Sequence, residues 1–348
     1  MNLDPRTTIL IFDQRLMSVI PGFQLWTAEY SHRFAVSSGE SLKSLETFHS
    51  VLTKVHKKVG ELANAKWTVL AIGGGSVGDF AGFFASVYKR GLRLVHIPTT
   101  WLAAIDSSHG GKTGLNFGGA KNQLGTFYPS EKTYLVRSIL LGLAPAQARD
   151  AIGELVKIAV IDGGPWAKSL RLGQNARRSN KFVSYLWRVL PQAIEAKMKI
   201  VRRDPRETKG ARMILNLGHT FGHVIESLTG KSHGESVWLG FLFALEFSIA
   251  EGYLKAREAS VLSDWLRLQT LDSNQQIFLS KKKGLAGMTS KSVKRVLKQD
   301  KKRALGNGKS SQVPQVRFVF VKGFGRTVVR AVTVDKLVAF AKLNGWIN

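Results

Sequence analysis

Three of the chain's eight histidines fall within fifteen residues. They lie in Ile214-Leu-Asn-Leu-Gly-His219-Thr-Phe-Gly-His223-Val-Ile-Glu226 and its continuation Lys231-Ser-His233-Gly-Glu235. Residues four apart share one face of a helix, so His219 and His223 can offer two imidazoles to one divalent cation. The competing reading is a pair of ordinary surface or core histidines. His233, set among glycine and hydroxyl residues rather than in an apolar run, favours the metal. The chain has no cysteine, which excludes disulfides, thiolate zinc sites and a cysteine nucleophile. Any metal must therefore sit on histidines and carboxylates.

Glu154-Leu-Val-Lys157 places an acid and an amine three apart, among Ile152, Leu155, Val156, Ile158 and Ala159. A surface pair of this spacing is ordinary. An acid on a largely buried helix, however, needs a cation or a metal. Upstream, Gly73-Gly-Gly75-Ser76-Val77-Gly78-Asp79 follows the apolar run Trp67–Ile72 and precedes a helical stretch. Strand, glycines and helix in that order suit a pyrophosphate, because the backbone can come close and the helix start offers free N–H groups. A plain tight turn is the alternative. No acid follows about 20 residues on, as the usual dinucleotide pattern asks; Glu40 and Lys43, opening the preceding helix, could hold the ribose instead. Asp106-Ser-Ser-His109-Gly-Gly-Lys112-Thr-Gly-Leu-Asn116, with Lys121-Asn122, reads as a loop suited to a phosphorylated or polyhydroxy ligand.

The elements that must position these groups follow from periodicity. Thr8–Phe12, Arg33–Val36, Trp67–Ile72 and Leu92–Ile97 read as strands, and Ser38 opens a helix with apolar positions Leu42, Leu45, Phe48, Val51, Leu52 and Val55. From Pro145 the pattern turns helical: Ala146–Val160, Val183–Arg202, the histidine helix, Val237–Tyr253 and Glu258–Leu268. Gln315–Lys322 and Arg326–Val334 read as a hairpin, and Asp335–Leu343 as a last helix. Ser273–Ser292 is the expected mobile segment. The expected architecture is an α/β N-terminal nucleotide-binding domain with a parallel or mixed sheet, residues 1–144. A mainly α-helical metal- and substrate-binding domain, residues 145–348, follows and carries the hairpin.

Composition narrows the function classes. No run reaches transmembrane length, and Val237–Ala250 carries Glu246 and reads as a buried helix. With no signal peptide visible, the expected location is the cytoplasm. The formal charge is +27, from 51 basic and 24 acidic residues. Clusters such as Lys281–Lys283 and Lys301-Lys302-Arg303 carry no interleaved aromatics and no nucleic-acid motif. The charge fits attraction of an anionic metabolite better than nucleic-acid binding.

Taken in order, the motifs resemble the 3-dehydroquinate synthases of the sugar phosphate cyclase superfamily. The resemblance runs over roughly residues 5–335. It rests on Ser38-Gly-Glu-x-x-Lys43, Gly73-Gly-Gly-x-x-Gly-Asp79, Pro98-Thr-Thr100, Asp106-Ser-Ser-x-Gly-Gly-Lys-Thr-Gly114 and Lys121-Asn122. Beyond these it rests on Glu154-x-x-Lys157, Leu215-Asn-Leu-Gly-His-Thr-Phe-Gly-His223, His233-Gly-Glu235 and Asp300-Lys-Lys302. It implies zinc, or cobalt, on Glu154, His219 and His233, with His223 turned to the substrate instead of the metal. It implies NAD on Glu40, Lys43, Gly75, Ser76, Val77, Gly78, Asp79, Thr99, Thr100, Lys112 and Lys121. Substrate contacts would come from Arg90, Asp106, Lys112, Asn122, Lys157, Lys197, Arg212, Asn216, His223 and Lys302. The implied state is a homodimer, with Arg90 at the interface. The implied reaction converts 3-deoxy-D-arabino-heptulosonate 7-phosphate to 3-dehydroquinate and phosphate in aromatic biosynthesis, with NAD reduced and reoxidised within one turnover.

The rivals are a sister cyclase making 2-deoxy-scyllo-inosose or a valiolone, a metal-dependent polyol dehydrogenase, and a non-enzymatic basic binder. Sister cyclases alter the positions of Lys197, Asn216 and His223, which this chain keeps. There are departures from the pattern. The link between His219 and His233 is short, Gly142 replaces a threonine hydroxyl that contacts NAD, His109 replaces a small apolar residue, and Pro205 follows Asp204 where an acid is common.

Overall fold

The strands Thr8–Asp13 (β1) and Thr68–Gly73 (β3) are buried at every position. Apolar side chains on both faces are what a parallel sheet covered by helices on both sides demands. His32–Val36 (β2), Arg93–Pro98 (β4) and the two-residue Lys132–Thr133 (β7) complete a five-stranded sheet, ordered β2-β1-β3-β4-β7 and parallel throughout. Ile9, Ile11, Val69 and Ala71 pack on one side, against the helices Leu45–Val59 (α1) and Gly75–Val87 (α2). Leu10, Phe12, Leu70 and Ile72 pack on the other, against Leu16, Phe23 and Tyr30. The chain runs from β1 outward to β2 and returns past β1 to β3. Strand order therefore reverses between β1 and β3, where ligands of open α/β sheets settle beyond the carboxyl ends.

The computed structural model describes residues 3–172, 179–269, 285, 287–304 and 313–348, and only the backbone course at 179, 180 and 299–304. The chain falls into two units, Met1–Ala148 and Arg149–Asn348. Two local expectations change. Ser38 does not open the helix: Glu40–Lys43 is a separate 3-10 turn, and α1 starts at Leu45, where the Ser44 hydroxyl caps the N–H of Thr47. The presumed loop around Lys112–Asn122 is largely a hairpin, Lys112–Phe117 (β5) paired antiparallel with Ala120–Phe127 (β6). The expected mobile segment Ser273–Ser292 lies largely outside the described residues.

The second unit is helical: Ile152–Asp162 (α3), Ser179–Arg203 (α4), His219–Thr229 (α5), His233–Ala250 (α6), Ala256–Arg267 (α7) and Ser290–Ala304 (α8). Gln315–Gly323 (β8) and Arg326–Thr333 (β9) form the hairpin, and Val334–Leu343 (α9) closes the chain. The single helix expected over Ala146–Val160 is broken before Ile152, after a short turn at Pro145–Arg149. α6 is apolar nearly all round and is buried along most of its length, as a central helix should be. Among the described residues no helix is long and apolar enough to cross a membrane.

Glycines let α6 touch its neighbours backbone to backbone. A Cβ on Gly240 would stand 2.0 Å from the Gly218 carbonyl oxygen and 2.5 Å from the Gly222 nitrogen. Neither atom can swing aside as a side chain would. Gly240→Ala should therefore push α5 and α6 apart and cost about 1–3 kcal/mol. Urea unfolding of the variant checks this; an unchanged midpoint would mean the helices separate at no cost.

Candidate metal centre and nucleotide turn

Three helices begin at the same place. His219 is the first residue of α5, His233 the first of α6, and Glu154 lies in the first turn of α3. Gly218 supplies the left-handed turn (φ 80°) that starts α5, and Ser232 caps α6 through the N–H of Glu235. Glu154, His219 and His233 each present one donor atom, and these atoms lie within 4.8 Å of one another. His219 Nε2 is 3.3 Å and His233 Nε2 3.6 Å from Glu154 Oε1. The i,i+4 partner His223 stacks edge-on to His219, ring centres 5.3 Å apart, but does not join the donor group. The first reading of His219 and His223 as the ligand pair is thus replaced by His219 with His233.

Glu154 is fully buried, and the ammonium of Lys157, one turn on and equally buried, touches its Oε2. Burial alone would raise this carboxyl. Lys157, His219 and His233 outweigh burial and hold it well below the usual range. Neither carboxylate oxygen accepts a hydrogen bond of good geometry; the cations approach at ionic distance but off the accepting directions. Two ill-satisfied acceptor oxygens facing two imidazole nitrogens form a donor set that suits a divalent cation and leaves positions open.

The histidines are set from behind. His219 Nδ1 lies 3.3 Å from the Leu217 carbonyl, and His233 Nδ1 lies 3.1 Å from Glu226 Oε2. Such outer partners orient a ring and keep Nε2 for the metal side. Burial, with the Lys157 ammonium, pushes His219 down to about 4. Burial would also lower His233, but Glu154 and Glu226 on either side raise it to about 10. A cation taking His233 Nε2 must displace a proton. The sequence reading missed Glu226, although its spacing of seven from His219 puts it on the same helix face.

The remaining residues of this unit stand as follows. Lys197 on α4 and Arg212 in the 3-10 turn Ala211–Asn216 are buried, and both elements pack on α3. Arg212 Nη1 donates to the Pro205 carbonyl at 3.0 Å. Asp204 is buried and its carboxylate takes the backbone N–H groups of Thr208, Lys209 and Arg212. Burial opposes its charge, yet those N–H groups hold it below the usual range. Asp204 thus fixes the loop that carries Arg212, a role the sequence reading did not assign. Asn216 is exposed. The side chain of Lys302 lies outside the described residues.

In the first unit the buried Lys43 ties together Asp79, which is partly buried, and Asn122, which is exposed. Lys43 Nζ donates to Asp79 Oδ2 at 2.6 Å and also to Asn122 Oδ1. Burial pushes the Asp79 carboxyl up, with Glu40 and Asp106 acting the same way against Lys43. Asn116 ties Glu40 Oε2 at 2.9 Å and accepts from the Asn122 N–H. Ser76 Oγ accepts from the Gly39 N–H at 3.0 Å, and Thr99 N–H donates to the Gly73 carbonyl. The Gly75, Val77 and Gly78 backbone forms the first turn of α2, beyond the carboxyl end of β3. Thr100 caps a short helix at Trp101–Ile105. Lys112 and Lys121 are exposed on the β5–β6 hairpin, and Arg90 is exposed in a left-handed backbone turn (φ 66°). Of the departures, His109 packs inward with Nε2 2.9 Å from the Ala104 carbonyl, and Gly142 ends a short helix. The short link is Gly230–Ser232, three residues between α5 and α6.

A parallel-sheet α/β unit followed by a helical unit is a fold this chain shares with sugar phosphate cyclases. The structure superposes on 2-deoxy-scyllo-inosose synthase, solved with carbaglucose-6-phosphate, NAD+ and Co2+, at a TM-score of 0.79. The two are 25% identical, and the superposition covers 97% of this chain and 90% of the other. Residues 33–150 match the family described as 3-dehydroquinate synthase N-terminal, and residues 151–303 match 3-dehydroquinate synthase C-terminal. The 3-dehydroquinate synthase of Rhodopseudomonas palustris (strain TIE-1) is 35% identical over 301 residues, 84% of this chain and 74% of that protein. That of Alkaliphilus oremlandii is 42% identical over 217 residues, 62% of this chain and 58% of the relative's length. A third relative, from Rhodopseudomonas palustris (strain BisA53), is spanned over 66% of its length. The chain belongs to the 3-dehydroquinate synthase family.

One buried group beside the glycine turn gives a pH-dependent stability. His96 on β4 is pushed down to about 4, first by burial and then by His109. An unfolded histidine titrates near 6.5. Between these values the unfolded chain binds the proton and the folded chain does not, so stability is complete above pH 6.5 and is lost as pH falls toward 4. The loss is on the order of 3 kcal/mol. Urea midpoints at pH 7 and pH 5 should differ less in His96→Asn than in the native chain; equal differences would refute the assignment.

Proposed function

We propose that the protein is a 3-dehydroquinate synthase, a carbon–oxygen lyase that converts 3-deoxy-D-arabino-heptulosonate 7-phosphate to 3-dehydroquinate and phosphate in aromatic amino acid biosynthesis. The observation that carries the proposal is the fully buried Glu154 carboxylate, facing His219 and His233 with its oxygens ill-satisfied. Glu154, His219 and His233 hold zinc or cobalt. Glu40, Lys43, the Gly75–Asp79 turn, Thr99, Thr100, Lys112 and Lys121 would hold NAD. When bound, the metal polarises a substrate hydroxyl and NAD accepts and returns a hydride.

The chain's own residues do the rest. Glu226 and the Leu217 carbonyl hold the imidazoles so that each Nε2 faces Glu154. Lys157 adds positive charge beside Glu154, which favours a substrate oxygen that has lost its proton. Arg212 and Lys197 supply the cations that a phosphate and a carboxylate require, and Asp204 keeps the Arg212 backbone in place. Asn216, His223, Lys302, Arg90, Asp106, Lys112 and Asn122 complete the substrate contacts. NAD with residues 1–144, metal and substrate with 145–348, a homodimer and a cytoplasmic location belong to the same reading.

Purified protein with NAD, zinc and the heptulosonate phosphate should release phosphate with no net NADH. Net NADH would instead mark a dehydrogenase, and turnover of glucose 6-phosphate a sister cyclase. His233→Ala should abolish turnover and lower the metal content; full metal occupancy in that variant would remove His233 from the site. Arg212→Ala should damage turnover far more than NAD affinity, whereas equal losses would contradict its role.

A further inference from the structure

A second carboxylate meets the donor cluster without belonging to it. Asp150 lies four residues ahead of Glu154, just outside α3. Its Oδ1 accepts the Gly234 N–H at 3.1 Å and a short hydrogen bond from the Ser232 hydroxyl. These two donors flank His233 in the sequence. Ser232 Oγ also accepts the Glu235 N–H at 3.3 Å, so it caps α6 while donating to Asp150. The backbones behind this tie are in contact. A Cβ on Gly234 would stand 1.5 Å from the Asp150 carbonyl oxygen, and one on Gly153 2.3 Å from the Gly234 carbonyl oxygen.

We propose that Asp150 is a positioning residue for His233, and the proposal rests on the metal reading above. A helix cap is the simpler account of Ser232, and Ser232 needs no help to cap α6. What the cap does not supply is a bond from the α3 side to the α6 side, and Asp150 supplies two. Glu226 fixes how the His233 ring is turned, through Nδ1. Asp150 fixes where the first turn of α6 stands relative to Glu154, and hence the 3.6 Å gap between His233 Nε2 and Glu154 Oε1. Metal–ligand distances in well-formed sites fall within about 0.2 Å of their standard values. A small drift of this turn therefore costs metal affinity before it costs the fold.

The test is Co2+ titration of the metal-free chain against a chromophoric chelator, with the visible absorption of bound Co2+ recorded as a report on ligand geometry. Asp150→Ala should weaken Co2+ by about 10–100-fold and change the absorption band. Asp150→Asn keeps an amide oxygen that can accept both hydrogen bonds, and should restore affinity and band. Ser232→Ala removes one bond of the tie and should fall between the native chain and Asp150→Ala, which keeps the test open if Asp150→Ala does not fold. Native affinity and band in Asp150→Ala would overturn the proposal, as would Asp150→Asn behaving like Asp150→Ala. His233→Ala separates the two levels. If the native chain binds Co2+ no better than His233→Ala, the metal reading itself fails and this one with it.

Discussion

A carboxylate removed from water must find its compensation inside the protein. Glu154 has no exposed surface, and burying one unpaired charge costs several kcal/mol even after relaxation. Lys157 and two imidazoles offset part of that cost, with His233 held between Glu154 and Glu226. Compensation by side chains alone is incomplete, because neither oxygen has a well-aligned donor. The helical unit is arranged around this deficit. Three helix starts converge on it, and helix starts carry partial positive charge that favours an anion. His219 beside Glu154 is held low by its burial and by the Lys157 ammonium. His233 escapes only because it has a carboxylate on each side.

Convergence at this range requires helices without side chains between them. Gly153 with Gly234, and Gly218 and Gly222 with Gly240, supply it by backbone contact. Close contact of this kind is intolerant of drift, and hydrogen bonds from outside the donor set hold it. Glu226, Asp150 and the Leu217 carbonyl surround the histidines, while Asp204 holds the separate Arg212 loop. In the first unit the same economy appears at Lys43. One buried ammonium joins the 3-10 turn, α2 and the β5–β6 hairpin through Asp79 and Asn122. The turn beyond β3 is thereby fixed from two directions.

Much of this was legible in the residues. Apolar runs marked β1, β3 and β4 to within a residue or so, since burial on both faces leaves little choice of residue type, whereas the two-residue, partly exposed β7 carried no such run. Periodicity located the histidine helix but not the ligand pair. Four-residue spacing puts His223 beside His219, whereas the partner that matters comes from the next helix, and no local rule reports that. The resemblance to a family implies Glu154, His219 and His233 as one set, and the fold brings those three side chains together. The hairpin around Lys112–Asn122 was misread because its glycines and polar residues mimic a loop; only the pairing of Lys112 with Phe127 and Leu115 with Leu124 defines it. The start of α1 was misplaced because Ser38 and Ser44 both look like caps, and the backbone chose the second. Asp150 and Asp204 carried no signal, because their work is done by carboxylate oxygens on backbone N–H groups distant or irregular in sequence.

The excess of base over acid follows a different logic from the site. With 51 basic and 24 acidic residues, fewer than half of the cations can have an acid of their own. The ion pairs away from the centre, such as Arg93–Glu131, Arg202–Glu195 and Arg267–Asp264, are exposed and contribute little each. The unmatched charges repel one another, so moderate salt relieves the folded chain. The same charges attract small anions, and salt weakens that attraction. Stability and anion capture thus respond to ionic strength in opposite directions. Glu154 and Lys157 stand apart from both, because a contact pair closed off from water is screened far less than a surface one. The buried pair lies where ionic strength reaches least, and the excess charge is left to the part of the molecule that meets the solvent.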